Sequence, residues 1–398
     1  MKTFNKIFQG DRVIWIVVAF LSLMSLLAVY SATGTLAQTR HDGNNTFVLL
    51  SHAATLAVGL VAMYVAHRVK YTYYSVLLRL AFFVSVPLLA YTTFKGVDLN
   101  NAQRVVEIFG VSFQSSDLAK VALIGYLARM LTIKQDEIKD FKNAFVPLML
   151  PVLLIVGLIL PENLSTAAIL FVCSIALLFV GRINLKYLAM FMLIGIFALT
   201  LYIVIVMNVA EDTGRTHTWI NRIERFISPS EEESEEGIVI TDENYQTMHA
   251  KIAVASGGIF GKAPGRSTQR NLLPHPYSDF IFAIIVEEYG LAGGVFVIMM
   301  YLILLYRAIA IMVAIPQSFG GFLSFGLAFL LVMQAMINMG VAVGLLPVTG
   351  QPLPLVSKGG TSMLFTGISI GIILSVSKEV NKIKEKRDEL KPATESDS

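Results

Sequence analysis

The residues best suited to chemistry in this sequence lie in one stretch, NLLPHPYSDFIFAIIVEEYG at 271–290, which places three carboxylates at the start of an apolar run. Asp279 stands at the boundary of the run. A carboxylate that is partly shielded from water has a raised pKa and can accept a proton from a hydroxyl group. Asp279 is therefore a candidate general base. Its structural alternative is that Ser278 or Asp279 caps the helix that follows, and the two roles are compatible.

The other two acids, Glu287 and Glu288, lie inside the apolar run. In one continuous helix they would sit about 12 Å deeper than Asp279. At about 100° per residue, Glu287 would lie about 80° and Glu288 about 180° around the helix from Asp279, so at most one of them faces the same cavity. Ionisable groups within a membrane span mark functional sites by default, whereas the structural alternative is a hydrogen bond to a neighbouring helix. Glu287 is the candidate, and we expect Glu288 to be structural.

A second candidate site is the sequence SSDLAK, in which Asp117 and Lys120 are neighbours on one helical face. The two charges could simply neutralise each other. Lys120 nevertheless lies within a predicted membrane span, where an ion pair is costly unless it serves a function. A lysine near the end of a span could bind a phosphate or a sugar.

A third candidate is the segment GLLPVTGQPLPLVSKGGTS at 344–362, which contains three prolines and four glycines between two apolar spans. Proline excludes a continuous helix here. Irregular backbone at membrane depth is tolerated only where it is buried in protein or lines a cavity. The segment could be a simple loop, but its small polar residues suit close approach to a polar ligand; they are Ser357, Gly359, Gly360, Thr361 and Ser362.

Other catalytic patterns are missing from the sequence. The stretch SGGIFGKAPGRS has serine where a phosphate-binding loop needs its first glycine and alanine where it needs Ser or Thr, so we interpret its glycines as giving a surface lid flexibility. No Ser-His-Asp set and no HExxH motif occurs. The single cysteine, Cys173, excludes a disulfide framework and a cysteine-based zinc site.

The composition indicates which elements must position these residues. The chain has 398 residues, of which 55% are hydrophobic and 15% charged, and its mean hydropathy is +0.67. Soluble domains carry about 25% charged residues, so we predict an integral membrane protein. The net charge of +3 is too small to indicate a nucleic-acid partner.

Ten segments are candidates to cross about 30 Å of hydrocarbon, which predicts an all-α fold with ten transmembrane helices. We interpret the first as an uncleaved helix rather than a signal peptide, and the fourth is short and carries charge. The segments are 12–33, 46–67, 73–94, 114–132, 145–160, 165–182, 185–208, 279–307, 318–345 and 361–378.

Lysine and arginine are distributed unequally between alternate loops, which predicts cytoplasmic N- and C-termini. The short outer loops would then hold only Arg40, Lys95, Arg104 and Lys358. The segment 209–278 between helices 7 and 8 becomes a large extracytoplasmic loop, with an acidic insert at 231–243 and a second half that we expect to form a structured lid. We divide the chain into a membrane domain, 1–380, and a polar cytoplasmic tail, 381–398.

Four separated motifs resemble the SEDS family (shape, elongation, division and sporulation) and occur in the family's order. They are FQSSDLAK, YQTMHAKIAVASGGIFGKAPGRS, LPHPYSDFIFAIIVEEYG and LLPVTGQPLPLVSKGGTS. The resemblance covers nearly the whole chain, including the ten-span plan and the large loop before the eighth span. Within the family, the chain looks most like the division members, with the elongation members as close relatives.

The resemblance implies a peptidoglycan glycosyltransferase that polymerises lipid II, a disaccharide-pentapeptide on undecaprenyl pyrophosphate, at the outer face of the inner membrane. The essential aspartate of the family falls on Asp279, its paired glutamates on Glu287 and Glu288, its lysine on Lys120 and its arginine on Arg104. The chain departs from the family at Tyr277, His275, Ser115, Glu162 and Asn163, and at Lys358, where tyrosine is usual. None of these departures affects Asp279.

Transfer of a sugar from an anionic leaving group needs a base for the incoming hydroxyl and cations for the pyrophosphate. Asp279 would supply the base. The candidate cations are Lys120, Arg104, Lys262, Arg266 and Lys358, or a divalent ion, Mg or Mn. We expect no tightly bound cofactor. The resemblance also implies a class B penicillin-binding protein as partner, divisome activators, and a position at the division septum.

Two other functions remain open from the sequence. A transporter or flippase for the same lipid-linked precursor should show a site at the membrane midplane and usually inverted repeats. We find no clear internal repeat, and the polar motifs cluster at the outer face, which favours surface chemistry. A scaffold that only recruits a transpeptidase would not need Asp279.

Overall fold

The computed structural model describes residues 9–33, 45–95, 97–98, 103–108, 111–209, 233–234, 237–238, 245–273 and 276–395. This part of the chain contains eleven α-helices. They are α1 Arg12–Ala32, α2 Asn45–Arg68, α3 Tyr71–Lys95, α4 Ser115–Ile133, α5 Val146–Ile159, α6 Leu164–Val180, α7 Leu185–Val209, α8 Tyr245–Gly257, α9 Ile281–Ala314, α10 Phe319–Ala342 and α11 Thr361–Glu395.

Short strands lie between some of the helices, which the all-α prediction did not include. β1 (Val97–Asp98), β2 (Gln103–Ile108) and β3 (Val111–Gln114) form an antiparallel sheet in the order β1-β2-β3. The other two strands pair within the predicted acidic insert; they are β4 (Glu233–Ser234) and β5 (Gly237–Ile238). The rest of that insert lies outside the described residues. The helical bundle itself agrees with the prediction.

The helices occupy all ten predicted spans, but their lengths differ. Among the described residues, seven helices are long and apolar enough to cross a membrane, and α4 is not among them. The apolar helices Leu164–Val180 and Leu185–Ala198 are shorter. The protein is thus a multi-pass helical membrane protein, while the number of ten spans and their orientation stay predictions. Helix α11 continues to Glu395, well into the predicted polar tail.

Helix α9 consists of two segments, because Gly290 has non-helical backbone angles, φ 70° and ψ −171°. The segments fold towards each other, since the ring of Phe282 lies 3.4 Å from the position that a Cβ atom on Gly294 would occupy. Residues 281–288 are all buried. The following 24 residues, 291–314, span about 36 Å and can cross a membrane without the first segment. The predicted span 279–307 therefore contains a break at Gly290 that the prediction did not include.

Two contacts at opposite ends align α1 with α9. At one end Arg307 donates to Asp11, the N-cap residue of α1, with Nε–Oδ2 and Nη2–Oδ2 distances of 2.6 Å and 2.5 Å. At the other end the Ser31 hydroxyl donates to Glu288. From residue 11 to residue 31 the helix rises about 30 Å, the thickness of a hydrocarbon core. Glu288 therefore lies at the end of the span rather than deep within it, which corrects the expected depth of both glutamates.

We call the end of the bundle that carries Ser31 and Glu288 the site end, and the end that carries Asp11 the opposite end. Asp11 N also donates to Ser377 Oγ of α11 at 2.9 Å. The beginning of α1 and the later part of α11 thus share the opposite end. The side of the membrane on which the termini lie stays a prediction.

The segment 343–360 between α10 and α11 enters the bundle from the site end. Three side chains hold its carbonyl groups: Ser25 donates to Val356 O at 2.8 Å, Tyr301 to Pro354 O at 2.5 Å and Gln334 to Pro352 O at 3.4 Å. These donors lie about 9–15 Å along their helices from the site end. The segment therefore re-enters the membrane layer as irregular backbone, and its carbonyl groups are satisfied by the helices around it.

Candidate functional site

Asp279 lies two residues before α9 begins. The N-cap position of α9 is Phe280, and no side chain caps the helix. The expectation that Ser278 or Asp279 caps it is therefore wrong. Instead, the Ser278 hydroxyl donates to Asp279 Oδ1 at 2.8 Å, so the backbone of the helix does not occupy the carboxylate.

The main chain at Asp279 is held by side chains from two other elements. Asn338 of α10 donates from Nδ2 to the carbonyl of Asp279 at 2.9 Å and to the carbonyl of Gln351 at 2.7 Å. Ser357 donates from Oγ to the carbonyl of Ser278 at 2.5 Å. These hydrogen bonds tie the entrance of α9 to the re-entrant segment, so the two segments position the carboxylate together.

A main-chain hydrogen bond extends this connection by one residue. Lys358 N donates to Tyr277 O at 2.9 Å, and Ser357 Oγ accepts from Leu353 N at 2.8 Å. Residues 277–279 and 357–358 therefore run side by side. Asp279, Ser357 and Lys358, which the sequence predicted as site residues from distant motifs, come together here.

The carboxylate of Asp279 is half-buried. Among the described residues, Ser278 is its only hydrogen-bond donor, and no cation lies within ion-pair distance. Its Oδ2 atom lies 3.7 Å from the position that a Cβ atom on Gly350 would occupy. One oxygen is thus oriented by a hydroxyl, while the other remains available to accept a proton from a ligand.

Glu287 lies at the centre of a second cluster and is completely buried. Its Oε1 atom accepts from Lys262 Nζ at 2.7 Å and from Thr268 N and Oγ1 at 3.0 Å and 2.8 Å. Its Oε2 atom accepts from the Ser267 hydroxyl and from Gln269 N at 3.3 Å. The carboxylate therefore fastens the loop 262–269 to α9, and both of its oxygens are occupied by the protein.

Glu288 fastens the same loop to α1. Its Oε1 atom accepts from the Ser31 hydroxyl and from Ser267 N at 3.3 Å. Arg270 donates from Nη1 to the carbonyl and hydroxyl of Ser31, both at 3.2 Å. The structural role that we expected for Glu288 agrees with these contacts.

Two glycines between the end of α8 and this loop allow the backbone to touch the break in α9. A Cβ atom on Gly257 would lie 2.1 Å from Val286 O, and one on Gly261, where φ is +80°, would lie 2.2 Å from Glu288 O. Lys262 N and Ala263 N donate to the carbonyls of Glu287 and Glu288 at 2.9 Å and 3.1 Å. Close backbone approach, rather than the flexibility that we expected, explains these glycines.

Lys120 and Asp117 form a buried ion pair in the first turns of α4, with an Nζ–Oδ1 distance of 2.8 Å. Gln114 N, just before α4, donates to Thr361 Oγ1 at the start of α11 at 3.3 Å. The pair therefore lies at the site end, close in sequence to a residue that contacts the start of α11, where the re-entrant segment ends. To bind a substrate, the Lys120 ammonium would have to leave the Asp117 carboxylate and pair with an anionic group of the substrate.

The remaining predicted site residues differ in their surroundings. Arg266 is exposed at the tip of the loop, and Lys262 is engaged by Glu287. Gly359 is half-buried and Gly360 is exposed, and a Cβ atom on Gly360 would have no neighbour within 4 Å. Arg104 belongs to β2, and its side chain lies outside the described residues, as does His275.

The sequence reasoning missed the amides that support the site. Asn338 and Gln351 are both buried, and Gln351 Nε2 donates to Thr166 Oγ1 of α6 at 2.9 Å. Asn338 is a polar residue within the apolar run of α10, so the rule that polar groups inside a span serve a purpose could have identified it. Gln351 gave no comparable signal, because it lies in a segment already rich in polar and irregular residues.

Comparison with known proteins identifies relatives over almost the whole chain. The sequence profile of the FtsW/RodA/SpoVE family, described as "Cell cycle protein", matches residues 11–382. "Probable peptidoglycan glycosyltransferase FtsW" of Geobacter sp. (strain M18) is 32% identical over 373 residues, which cover 92% of this chain and 96% of that protein. "Stage V sporulation protein E" of Bacillus subtilis (strain 168) is 30% identical over 372 residues, with coverages of 92% and 97%.

Solved structures show the same fold. The crystal structure of the rod shape determining protein RodA of Thermus thermophilus superposes with a TM-score of 0.66 at 24% identity, covering 93% of this chain and 97% of that chain. A chain from a structure described as "Structural coordination of polymerization and crosslinking by a peptidoglycan synthase complex" gives a TM-score of 0.72 at 23% identity, with coverages of 93% and 98%. The family resemblance of the sequence motifs is thereby confirmed, and the protein belongs to the FtsW/RodA/SpoVE family, the SEDS family.

Proposed function

We propose that the protein is a peptidoglycan glycosyltransferase that polymerises lipid II, and that Asp279 is its catalytic base. The observation that carries the proposal is the burial of Asp279 and the small number of partners that its carboxylate has. Its carboxylate is half-buried at the junction of two segments, is oriented by one hydroxyl and has no cation partner among the described residues. A structural carboxylate in this protein looks different, since the charge of Glu287 is fully occupied by the protein.

The chemistry follows from this geometry. The acceptor hydroxyl attacks the anomeric carbon of the donor sugar, the bond from that carbon to the diphosphate oxygen breaks, and its electron pair leaves with the diphosphate. The proton of the hydroxyl passes to Asp279. A positioned base of this kind contributes about 10²–10⁴-fold in rate. Ser278 and Asn338 keep the carboxylate in place, which lowers the reorganisation needed during transfer.

The names of the relatives support both the proposed reaction and a role in cell division. Two relatives whose names include peptidoglycan glycosyltransferase FtsW are 32% and 33% identical to this chain. We therefore favour a septal enzyme that acts at the outer face of the inner membrane over the elongation homologue RodA with the same chemistry. Imaging of a fluorescent fusion distinguishes the two, because a septal band supports the division role and an even side-wall signal contradicts it.

The experiment that tests the proposal is glycan polymerisation from labelled lipid II by purified protein, alone and with its partner. Asp279→Asn should lower the initial rate by about 10²–10⁴-fold. Asp136→Asn is a matched control, since it removes an exposed carboxylate from the short helix Gln135–Glu137, which follows α4. Normal polymerisation by Asp279→Asn would refute the catalytic role.

A flippase for the same lipid is the second candidate function. The re-entrant segment supports it, since irregular backbone at depth also lines transport pathways. Both candidates predict lipid II binding, but only the polymerase makes glycan strands in detergent, where there is no membrane to cross. Movement of labelled lipid II across liposomes without polymer would favour the flippase.

The proposal includes a class B penicillin-binding protein and divisome activators as partners. The described residues include no group of three or more His, Cys, Asp or Glu side chains that could hold a metal ion. That the protein holds no tightly bound cofactor stays a prediction, and we route no step of the reaction through a resident metal. A divalent cation, Mg or Mn, remains part of the proposal as a companion of the substrate diphosphate, and titration of the metal during polymerisation tests it.

A further inference from the structure

Lys358 carries a positive charge that the protein leaves uncompensated. Its side chain is half-buried. Among the described residues, no carboxylate lies within ion-pair distance of its ammonium group. The ammonium lies over the ring of Tyr277, whose centroid is 5.6 Å from Nζ. Attraction between a cation and an aromatic face at this distance is weak but directional, so the ring orients the ammonium without neutralising it.

Two other lysines at the site end have carboxylate partners. Lys120 pairs with Asp117 at 2.8 Å and Lys262 with Glu287 at 2.7 Å. Withdrawing a charge from water without a partner is costly, and burial accordingly lowers the pKa of the Lys358 ammonium. An anionic ligand would offset this cost, which indicates that the partner of Lys358 comes from outside the chain.

The position of Lys358 relates it to the proposed base. Lys358 N donates to Tyr277 O at 2.9 Å, and the neighbouring Ser357 donates to Ser278 O at 2.5 Å. The cation and Asp279 are therefore carried by two adjacent backbone segments, yet they do not form an ion pair with each other. A base and a cation held near each other and left unpaired suit a substrate that brings both a hydroxyl and an anion.

We propose that Lys358, oriented by the ring of Tyr277, binds the diphosphate group of the lipid-linked donor beside Asp279. This inference rests on the proposed function and deepens it by assigning the anion-binding half of the same site. Lys358 is then a catalytic residue, because it touches the group on which negative charge accumulates as the sugar–oxygen bond breaks. Tyr277 is a positioning residue that acts through Lys358.

Binding of farnesyl diphosphate to the full-length protein in detergent tests the assignment without requiring turnover. Lys358→Met should weaken binding by about tenfold or more, since it removes a charge-assisted contact, and Lys358→Arg should retain most of the affinity. Lys186→Gln is the control that removes the same charge elsewhere, because Lys186 is an exposed lysine in the first turn of α7. Equal affinity of Lys358→Met and the wild type would overturn the proposal.

Three further ligands show which part of the molecule is recognised. Farnesyl monophosphate should bind more weakly than the diphosphate, and farnesol should show no dependence on Lys358. Inorganic pyrophosphate distinguishes a lipid-linked anion from a free one: binding as tight as that of farnesyl diphosphate would overturn the assignment to the lipid-linked donor. Affinity for farnesyl diphosphate should fall with added salt in the wild type and less steeply in Lys358→Met.

The role of Tyr277 is tested by two substitutions with different expected results. Tyr277→Phe keeps the aromatic face and should bind farnesyl diphosphate normally, whereas Tyr277→Leu should weaken binding by about two- to fivefold. In the double variant Tyr277→Leu/Lys358→Met the loss should not exceed that of Lys358→Met alone. Fully additive losses would overturn the positioning role.

Failure of this inference is separable from failure of the proposed function. Asp279→Asn removes a negative charge beside the anion site, so it should bind farnesyl diphosphate at least as tightly as the wild type while losing polymerisation. If Asp279→Asn polymerises normally, the proposed function fails whatever the binding result. If Lys358→Met binds normally while Asp279→Asn is inactive, only the assignment of Lys358 fails.

Discussion

Gly290→Ala is the substitution for which the structure predicts the clearest consequence away from the proposed base. With φ 70° and ψ −171°, Gly290 occupies a backbone region that is essentially restricted to glycine, and another residue there costs about 1–3 kcal/mol. The new Cβ atom would also lie 2.2 Å from Ile259 O and 2.5 Å from Gly261 N. Both are backbone atoms, so no side-chain rotation relieves the overlap.

The loop must therefore move away from the break in α9. Four main-chain hydrogen bonds join them, at 2.9 Å, 3.1 Å, 2.8 Å and 3.2 Å, with donors Lys262, Ala263, Leu291 and Ala292. Each contributes about 0.5–1.5 kcal/mol. Adding part of this loss to the backbone strain destabilises the closed loop by at least about 3 kcal/mol, which shifts the local opening equilibrium by roughly 10²-fold.

Hydrogen exchange followed by mass spectrometry measures that equilibrium, because an amide exchanges when its hydrogen bond opens. Peptides covering 255–265 and 285–293 should exchange roughly 10² times faster in Gly290→Ala, and polymerisation should fall at least about tenfold, since Asp279 lies at the start of the segment that the break orients. Gly157→Ala is the control, because its Cβ atom would have no neighbour within 4 Å. Wild-type exchange in Gly290→Ala would refute the reasoning.

Three further predictions concern the supports of the site. Ser25→Ala removes the donor to Val356 O at 2.8 Å and should lower the polymerisation rate about tenfold. Ser22→Ala is the control and should leave the rate unchanged, because it removes a buried hydroxyl with no hydrogen-bond partner among the described residues. Equal rates of the two variants would contradict the role of Ser25. Trypsin should cleave after Arg266 and Arg270 faster in Glu287→Gln than in Lys262→Met, because Glu287 accepts several hydrogen bonds besides that of Lys262. Faster cleavage in Lys262→Met would show that the ion pair dominates. Burial lowers the pKa of Lys358, so its charge is lost as pH rises through a value below the usual pKa of about 10.4. Lys358→Arg should therefore move the alkaline limit of polymerisation activity to higher pH. If that limit does not move, the deprotonation of Lys358 does not cause it.

The sequence predicts the helices well, because lipid demands long apolar runs and leaves a strong signal. All ten predicted spans contain a helix. The break at Gly290 was not predicted, since GLAGG follows an apolar run that is equally compatible with a continuous helix, and a single positive φ leaves no periodic signal. The depth assigned to Glu287 and Glu288 was wrong for the same reason.

The site was partly predictable from the sequence. Asp279, Ser357 and Lys358 belong to motifs about 80 residues apart, and polarity within apolar surroundings singled them out. Their contacts depend on the re-entrant segment, whose depth follows from partners on other helices such as Ser25 and Tyr301. Pairings of this kind are decided by tertiary packing, and no local pattern in the sequence encodes them.

The three acids of the opening stretch illustrate how one membrane protein can use carboxylates in two ways. Both oxygens of Glu287 and one oxygen of Glu288 accept from donors that the chain supplies, so these two carboxylates hold the loop against the break. Asp279 receives one hydroxyl and leaves an oxygen unoccupied. Because Asp279 is half-buried at the junction of two segments, its second oxygen can accept a proton from a ligand, and a sugar hydroxyl beside the cation of Lys358 is the ligand whose chemistry fits our proposal.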